Sequence, residues 1–233
     1  MHGSAMCCRG CMEWNRSLRM NRREFVKGGI AVVSVAALAG CGKDEGVTGK
    51  EDDMVEKTFN ELIETRRSVR RYAASEISRE ELAVIVGEAL NAPSWKNNEE
   101  TRYRVALSAD AKNALLKEAL PSFNAANSAN AAALVVVTFK KGLSGFGNGQ
   151  PVNELGDMWG AYDAGLASSY FVLAAKNHGW DTLIMGIRDA EAIRQIMSVP
   201  GDEIVTAVIA LGKSAQPYFK NPRKGVDEVL VIA

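Results

Sequence analysis

The sequence predicts a single α+β domain in three layers, and three observations carry that reading. Residues Ala133 to Phe139 form a continuous, valine-rich apolar run, the pattern of a central strand covered on both faces. A long helical pattern runs from Asp157 to His178. Two further strand patterns, Thr182 to Ile187 and Ile204 to Leu211, bracket a helix from Ala190 to Met197. Helices thus alternate with central strands, and a sheet apolar on both sides needs helices on both sides.

The remaining elements follow in chain order. A first helix is expected over Met54 to Thr65, where Val55, Phe59, Leu62 and Ile63 share one stripe. Ser78 with Glu81 is a capping box opening a second helix, which buries Leu82, Ile85, Val86, Ala89 and Leu90 and stops at Pro93. Tyr103, Val105 and Leu107 alternate with Arg102, Arg104 and Ala106, predicting a half-buried strand, and a short helix is expected from Ala109 to Leu120. In the long helix Tyr162, Leu166, Tyr170, Leu173 and Ala174 fall near one face. No fixed-period repeat is present.

The chain has 233 residues, 47% of them hydrophobic, with 28 basic side chains against 28 acidic ones. Neither a disordered nor a fibrous protein has that composition, and zero net charge argues against a nucleic-acid partner. The balance is composite. Residues 1–40 carry six basic and two acidic side chains, a net of +4, leaving residues 41–233 at −4.

That basic front end reads as an address. Arg22-Arg23 precedes an uncharged run from Gly28 to Gly40, thirteen residues long. This is too short to span a hydrocarbon core of about 30 Å but suits a signal-peptide apolar region. Asn21-Arg22-Arg23-Glu24-Phe25-Val26-Lys27 resembles a twin-arginine export signal, with Asn21 where Ser or Thr is usual, and Leu38-Ala39-Gly40-Cys41 resembles a lipobox. The expected organisation is a signal peptide over 1–40, lipidation at Cys41, a flexible Gly- and acid-rich tether over 41–53 and a domain over 54–233. The protein is then an exported lipoprotein facing the extracytoplasmic side, in the periplasm or at the cell surface. An uncleaved amphipathic anchor, or a chance Cys after an apolar run, is the alternative. Cys7, Cys8 and Cys11 lack a second Cys or His pair to complete a metal site, and Met20 is an alternative start.

In the body, Arg66-Arg67-Ser68-Val69-Arg70-Arg71 places four arginines in six residues. Guanidinium forks suit a phosphate dianion and Ser68 adds a neutral donor, although a charge run is also the mark of a solvated face. If the segment is extended, Arg66, Ser68 and Arg70 share one side. Asn91 to Asn98, with Pro93, Ser94 and Asn97, is a polar loop able to grip a heterocycle, or simply a helix stop. Arg223-Lys224 is a second basic cluster.

Taken together, the early Arg-Arg-Ser-x-Arg run, the Ala-Pro-Ser loop with Asn97, the strand end Leu183-Ile184-Met185-Gly186-Ile187 and the late Arg-Lys resemble the FMN-dependent nitroreductase family over about residues 54–233. The resemblance implies a mixed, mainly antiparallel sheet flanked by helices, in a homodimer with flavin at the interface. It implies that Arg66, Arg67, Ser68 and Arg70, with Arg223 or Lys224, hold the FMN phosphate and ribityl chain. It further implies that Asn97, beside Pro93 and Ser94, reaches the flavin from the partner subunit, and that the strand end at Met185 binds the cofactor, with backbone N–H groups at Gly186 and Ile187 facing the ring. Where the family commonly continues its Pro-Ser loop as Gln-Pro-Trp, this chain has Glu99-Glu100-Thr101.

The flavin carries the chemistry in such enzymes, so no catalytic side chain is required. NAD(P)H is the family's usual donor, nitroaromatics and quinones are its acceptors, and an exported form would draw electrons from a membrane donor such as a quinol. A non-catalytic flavin-binding lipoprotein, a scavenger or sensor, is the competing class. The segment Gly142 to Gly149 lacks the spacing of a dinucleotide loop and reads better as a mobile lid. His178 reads as a helix cap. For Trp159 and Tyr162, stacking near the flavin, a dimer contact and core packing stay open.

Overall fold

A computed structural model describes residues 57–233. The leader, Cys41, the tether and the Met54 and Val55 end of the expected first helix lie outside the described residues. Seven strands, β1 (Tyr72–Ala73), β2 (Thr101–Ala106), β3 (Ala133–Lys140), β4 (Phe146–Gly147), β5 (Gln150–Pro151), β6 (Asp181–Met185) and β7 (Glu203–Ser214), are interleaved with six helices. These are α1 (Phe59–Thr65), α2 (Arg79–Ala89), α3 (Ala109–Ala114), α4 (Ser122–Ser128), α5 (Met158–Asn177) and α6 (Ala190–Met197).

Strand β7 organises the main sheet. It pairs antiparallel with β3 along Glu203 to Leu211, with β6 along Val208 to Gly212 and with β1 at Lys213 and Ser214, while β2 pairs with the far side of β3. A parallel bridge between Ser68 and Thr182 makes the sheet mixed. Alternate residues of β3 leave on opposite faces, as strand geometry requires. Val135, Val137 and Phe139 join Ile85, Phe171 and Ala175 from α2 and α5, whereas Leu134 and Val136 join Leu115, Ile193 and Met185 on the side of α3 and α6. The three layers expected of the sequence are present.

Helix α5 lies close on β3 because residue 160 is glycine: a Cβ there would run into the Phe139 ring. The face it buries carries Asp163, Ala164, Ala167, Ser168, Phe171 and Ala175. The expected stripe is mostly on the opposite side. Tyr162 is 60% exposed and Tyr170 41%, and of that stripe only Ala174 is buried. Small residues and Phe171, not the tyrosines, meet the sheet.

Three other expectations need correction. The stripe of α1 is not core: Phe59 is 66% exposed and Leu62 only half-buried, because this short helix packs beside α5. In α2, whose capping box forms as expected, Leu90 is exposed and Val86 half-buried. The helix expected through Leu120 passes into a π turn at Leu115–Ala119, Leu120 leaves it extended, and Pro121 starts the unanticipated α4.

Candidate functional site

The arginine run occupies the connection from α1 into the sheet. Helix α1 ends at Arg66, whose backbone turns extended (φ −61°, ψ 130°), and Ser68 then bridges Thr182 while the Val69 N–H donates to the Thr182 carbonyl at 2.9 Å. Val69 points into the core, so Ser68 and Arg70 point outward, as the period of two requires.

Arg66, Arg67, Ser68, Arg70 and Arg71 form one wall of a cleft of about 360 Å³. The other wall is the segment after β7, with Gln216, Tyr218, Asn221 and Arg223. Lys224, the alternative to Arg223, does not line the cleft and is exposed. No carboxylate lines it, and none of these arginines forms an ion pair with a described acidic residue. Burial, together with the charges of Arg223 and Arg67, holds the Arg66 guanidinium below its ordinary pKa. Arg67 caps carbonyls of Arg66 and Glu64 with its terminal nitrogens, leaving a buried Nε–H without a partner. Crowded, uncompensated guanidiniums favour an anion able to accept several forked hydrogen bonds, which is the chemistry of a phosphate.

The strand that Ser68 bridges, β6, runs on to Met185, Gly186 and Ile187. At about 3.3 Å per residue, Gly186 lies roughly 13 Å along the strand from Thr182. Met185 is buried, and Gly186 and Ile187 are exposed. A Cβ at Gly186 would meet nothing within 4 Å, so open space faces this backbone. The turn is fixed from behind by buried Asn124, whose Nδ2 donates to the Ile187 carbonyl at 2.9 Å, and by Asp189, which caps α6. Outside the sheet ladder, neither the Gly186 nor the Ile187 N–H donates to a backbone acceptor among the described residues.

Pro93, Ser94 and Asn97 do not join the arginine cleft within one chain. They sit in a tight turn in which Lys96, Asn97 and Glu99 all have positive φ, 50° to 56°, an uncommon conformation for such residues. Ser94 Oγ accepts from the Glu99 N–H at 3.0 Å and Asn97 Nδ2 donates to Glu99 Oε1 at 2.9 Å. The turn is tied to α5 through Asp163 and through Trp95, whose ring lies 5.0 Å from that of Trp159. Trp159 in turn contacts exposed Tyr162 at 5.7 Å, so Tyr162 is not core.

Sequence reasoning missed the polar centre beneath this turn. Asp163, 3% exposed, accepts from the Trp95 N–H and from Ser144 Oγ, and Glu100, 1% exposed, has neither carboxyl oxygen hydrogen-bonded. Burial, reinforced by Asp163, raises the Glu100 pKa. Gly142 is also anchored, its N–H donating to Asp157 Oδ1 at 2.7 Å, so the segment read as a lid is tied down at its base and projects as the β4–β5 hairpin. Tyr218 and Arg71 are further cleft residues not singled out, although Arg71 stood in the run. His178 occupies the C-cap of α5 as expected, with Nε2 2.7 Å from Glu88 Oε1.

The profile of the nitroreductase family matches residues 63–213, which take in the arginine run, the Ser94 turn and the β6 end. A Bacillus subtilis protein named as an NAD(P)H nitroreductase, YdgI, is 27% identical over 201 residues, 73% of this chain and 95% of the relative. A protein of Archaeoglobus fulgidus named as an NADH dehydrogenase/NAD(P)H nitroreductase is 30% identical over 156 residues, 65% of this chain and 82% of that one. Among solved structures, a nitroreductase from Exiguobacterium sibiricum in complex with FMN superposes with a TM-score of 0.64 at 22% identity, covering 76% of this chain and 98% of that one.

Proposed function

The chain belongs to the nitroreductase family and is an FMN-dependent oxidoreductase, and from that premise we propose that its cofactor phosphate sits in the arginine cleft and its flavin ring against the Gly186 turn. The observation that carries this is the cleft itself: five arginines without a carboxylate, bridged through Ser68 to a strand that ends in open backbone. FMN bound there would supply the redox chemistry that links an electron donor to a small acceptor. Arg66, Arg67, Arg70 and Arg223 would hold and neutralise the phosphate, Ser68 would donate to it, and the N–H groups of Gly186 and Ile187, which lack backbone acceptors outside the sheet ladder, would be free to donate to the ring. Pro93, Ser94 and Asn97 stand apart from the cleft in one chain, and a homodimer in which the partner contributes this turn completes the site.

NAD(P)H, the donor in the names of the relatives, is the first to test, with nitroaromatics and quinones as acceptors. The Arg22-Arg23 and Cys41 signals support an exported, lipid-anchored form, and for that form a quinol or an anchored redox protein is the proposed donor. Visible spectra of the purified protein with and without FMN, followed by anaerobic titration, test the reading. A yellow protein that is reduced by a donor and reoxidised by a quinone or nitroaromatic supports it. A yellow protein without turnover is a flavin binder, and a colourless one that cannot be loaded overturns the reading.

A further inference from the structure

The second wall of the arginine cleft has little of its own to hold it. Residues 215–225 carry no regular structure and are exposed. Near the strand, the Ala215 N–H donates to the Arg71 carbonyl at 3.0 Å and Ser214 Oγ to the Gln216 carbonyl at 2.7 Å. Further out there are two attachments. Tyr218 Oη accepts from Lys176 Nζ at 2.5 Å and donates to Asp181 Oδ1 at 3.4 Å, and Lys220 pairs with Glu64. Asp181 is nine-tenths buried, opens β6 beside Thr182 and also receives Lys176 Nζ at 2.8 Å. Tyr218 therefore fastens the segment to the strand that the arginine run bridges.

Against these attachments stands like charge. The segment delivers Arg223 into a cleft already lined by Arg66, Arg67, Arg70 and Arg71. Closing it costs Coulomb energy in a partly desolvated space, and an anion between the walls reverses the sign of that cost. A ligand that interacts differently with the closed and open arrangements shifts their populations, and the coupling is reciprocal.

We propose that residues 215–223 are a strap closed by a phosphate-type anion, with Tyr218 and the Lys220–Glu64 pair as the positioning residues that set its closed state. The proposal rests on the flavin reading for the identity of the anion, FMN, but its mechanism concerns the phosphate alone. Tyr218 touches no reacting atom. It acts by placing Arg223.

The test uses the full chain and separates phosphate from ring. Tyr218→Phe is expected to weaken FMN about tenfold, the loss of a hydrogen bond to charged groups, and to leave riboflavin, which lacks the phosphate, within about twofold on the same scale. Lys220→Ala is expected to move FMN in the same direction by a smaller factor, as a surface pair should. Limited trypsin cleavage within 215–225 should be slowed by FMN and by inorganic phosphate, and not by riboflavin. Unchanged FMN affinity in both variants, equal losses for FMN and riboflavin, or protection by riboflavin would each overturn the strap. A wild-type protein that binds no flavin yet is protected by phosphate keeps the strap and removes the flavin reading. One that responds to neither removes both.

Discussion

The backbone N–H of Trp95 donates to Asp163 Oδ2 at 2.8 Å, joining the strained Ser94 turn to the buried face of α5 across 68 residues of sequence. The same oxygen accepts from Ser144 Oγ at 2.7 Å, so one carboxylate ties both the turn and the base of the β4–β5 hairpin to the helix. Asp163→Ala leaves a hydroxyl and a backbone N–H without their acceptor. It is expected to cost about 1–3 kcal/mol and to lower the thermal midpoint by roughly 3–10 °C. Trp95 and Trp159 should report the loosening as a red shift in fluorescence; an unchanged midpoint and spectrum would show that water replaces the carboxylate without loss.

Glu100 gives stability a downward slope above pH 4.5. Its carboxyl pKa is raised in the folded protein above the ordinary 4.5, burial being the main cause, so the native state holds a proton that the unfolded chain releases. Stability attributable to this group therefore falls as pH rises from about 4.5 to the folded pKa and is flat above it. Glu100→Gln, neutral at every pH, should remove that decline and stabilise the protein at neutral pH. Denaturant midpoints between about pH 4 and pH 8 decide it.

Glu203 slopes the other way. Burial opposes its ionisation, but hydrogen bonds from Arg104 and Thr138, with the Arg104 charge, outweigh burial and hold its pKa below 4.5. Its contribution is complete above the unfolded pKa and disappears as pH falls through the folded one. Arg104→Ala strands a carboxylate that is 3% exposed and should cost about 3–5 kcal/mol near neutral pH, with a smaller penalty in acid. Equal penalties at both pH values would contradict it.

Gly186 separates fold from function. A Cβ there meets nothing within 4 Å, and its φ lies outside the left-handed region, so Gly186→Val is expected to fold with little change in thermal stability in the absence of flavin. It fills the space assigned to the ring, and flavin affinity should fall by at least about tenfold for FMN and riboflavin alike. That pattern contrasts with the phosphate-selective loss expected of Tyr218→Phe. A variant that retains the yellow cofactor places the ring elsewhere.

How much the sequence discloses differs between elements for physical reasons. The valine run of β3 is legible because both faces of that strand are buried, which removes ambiguity about which side faces the core. The extent of helix α5 is legible too, but its buried face is not, because apolar residues lie all round it and periodicity alone cannot rank Tyr162 against Ala164. Of the candidate site, the arginine run is legible as a charge cluster, and Arg223 as a late basic residue. Asp163 and Tyr218 are not. A single acid inside an apolar helix and a tyrosine in an irregular tail have no pattern, and their roles come from partners distant in sequence.

The outer face of α5 yields the last prediction. Phe59 and Leu62 of α1 and Tyr170 and Leu173 of α5 line an apolar cleft of about 560 Å³, and Tyr162 extends the exposed surface along the same helix. Helix α5 has the sheet and α2 packed against it, and α1 beside part of its outer face, where Tyr162 and Tyr170 stay exposed, and an apolar helix face is normally covered. A second copy of the chain is the proposed cover, and it would bring the Ser94 to Asn97 turn to the partner's cleft. Tyr170→Glu places a charge in that face while touching neither the arginine cleft nor the Gly186 turn. Sedimentation should show wild-type dimers and variant monomers, the monomers losing FMN because Asn97 no longer reaches it. A variant that remains dimeric locates the interface on another face. A monomer that binds FMN as tightly as wild type shows that one chain holds the flavin unaided.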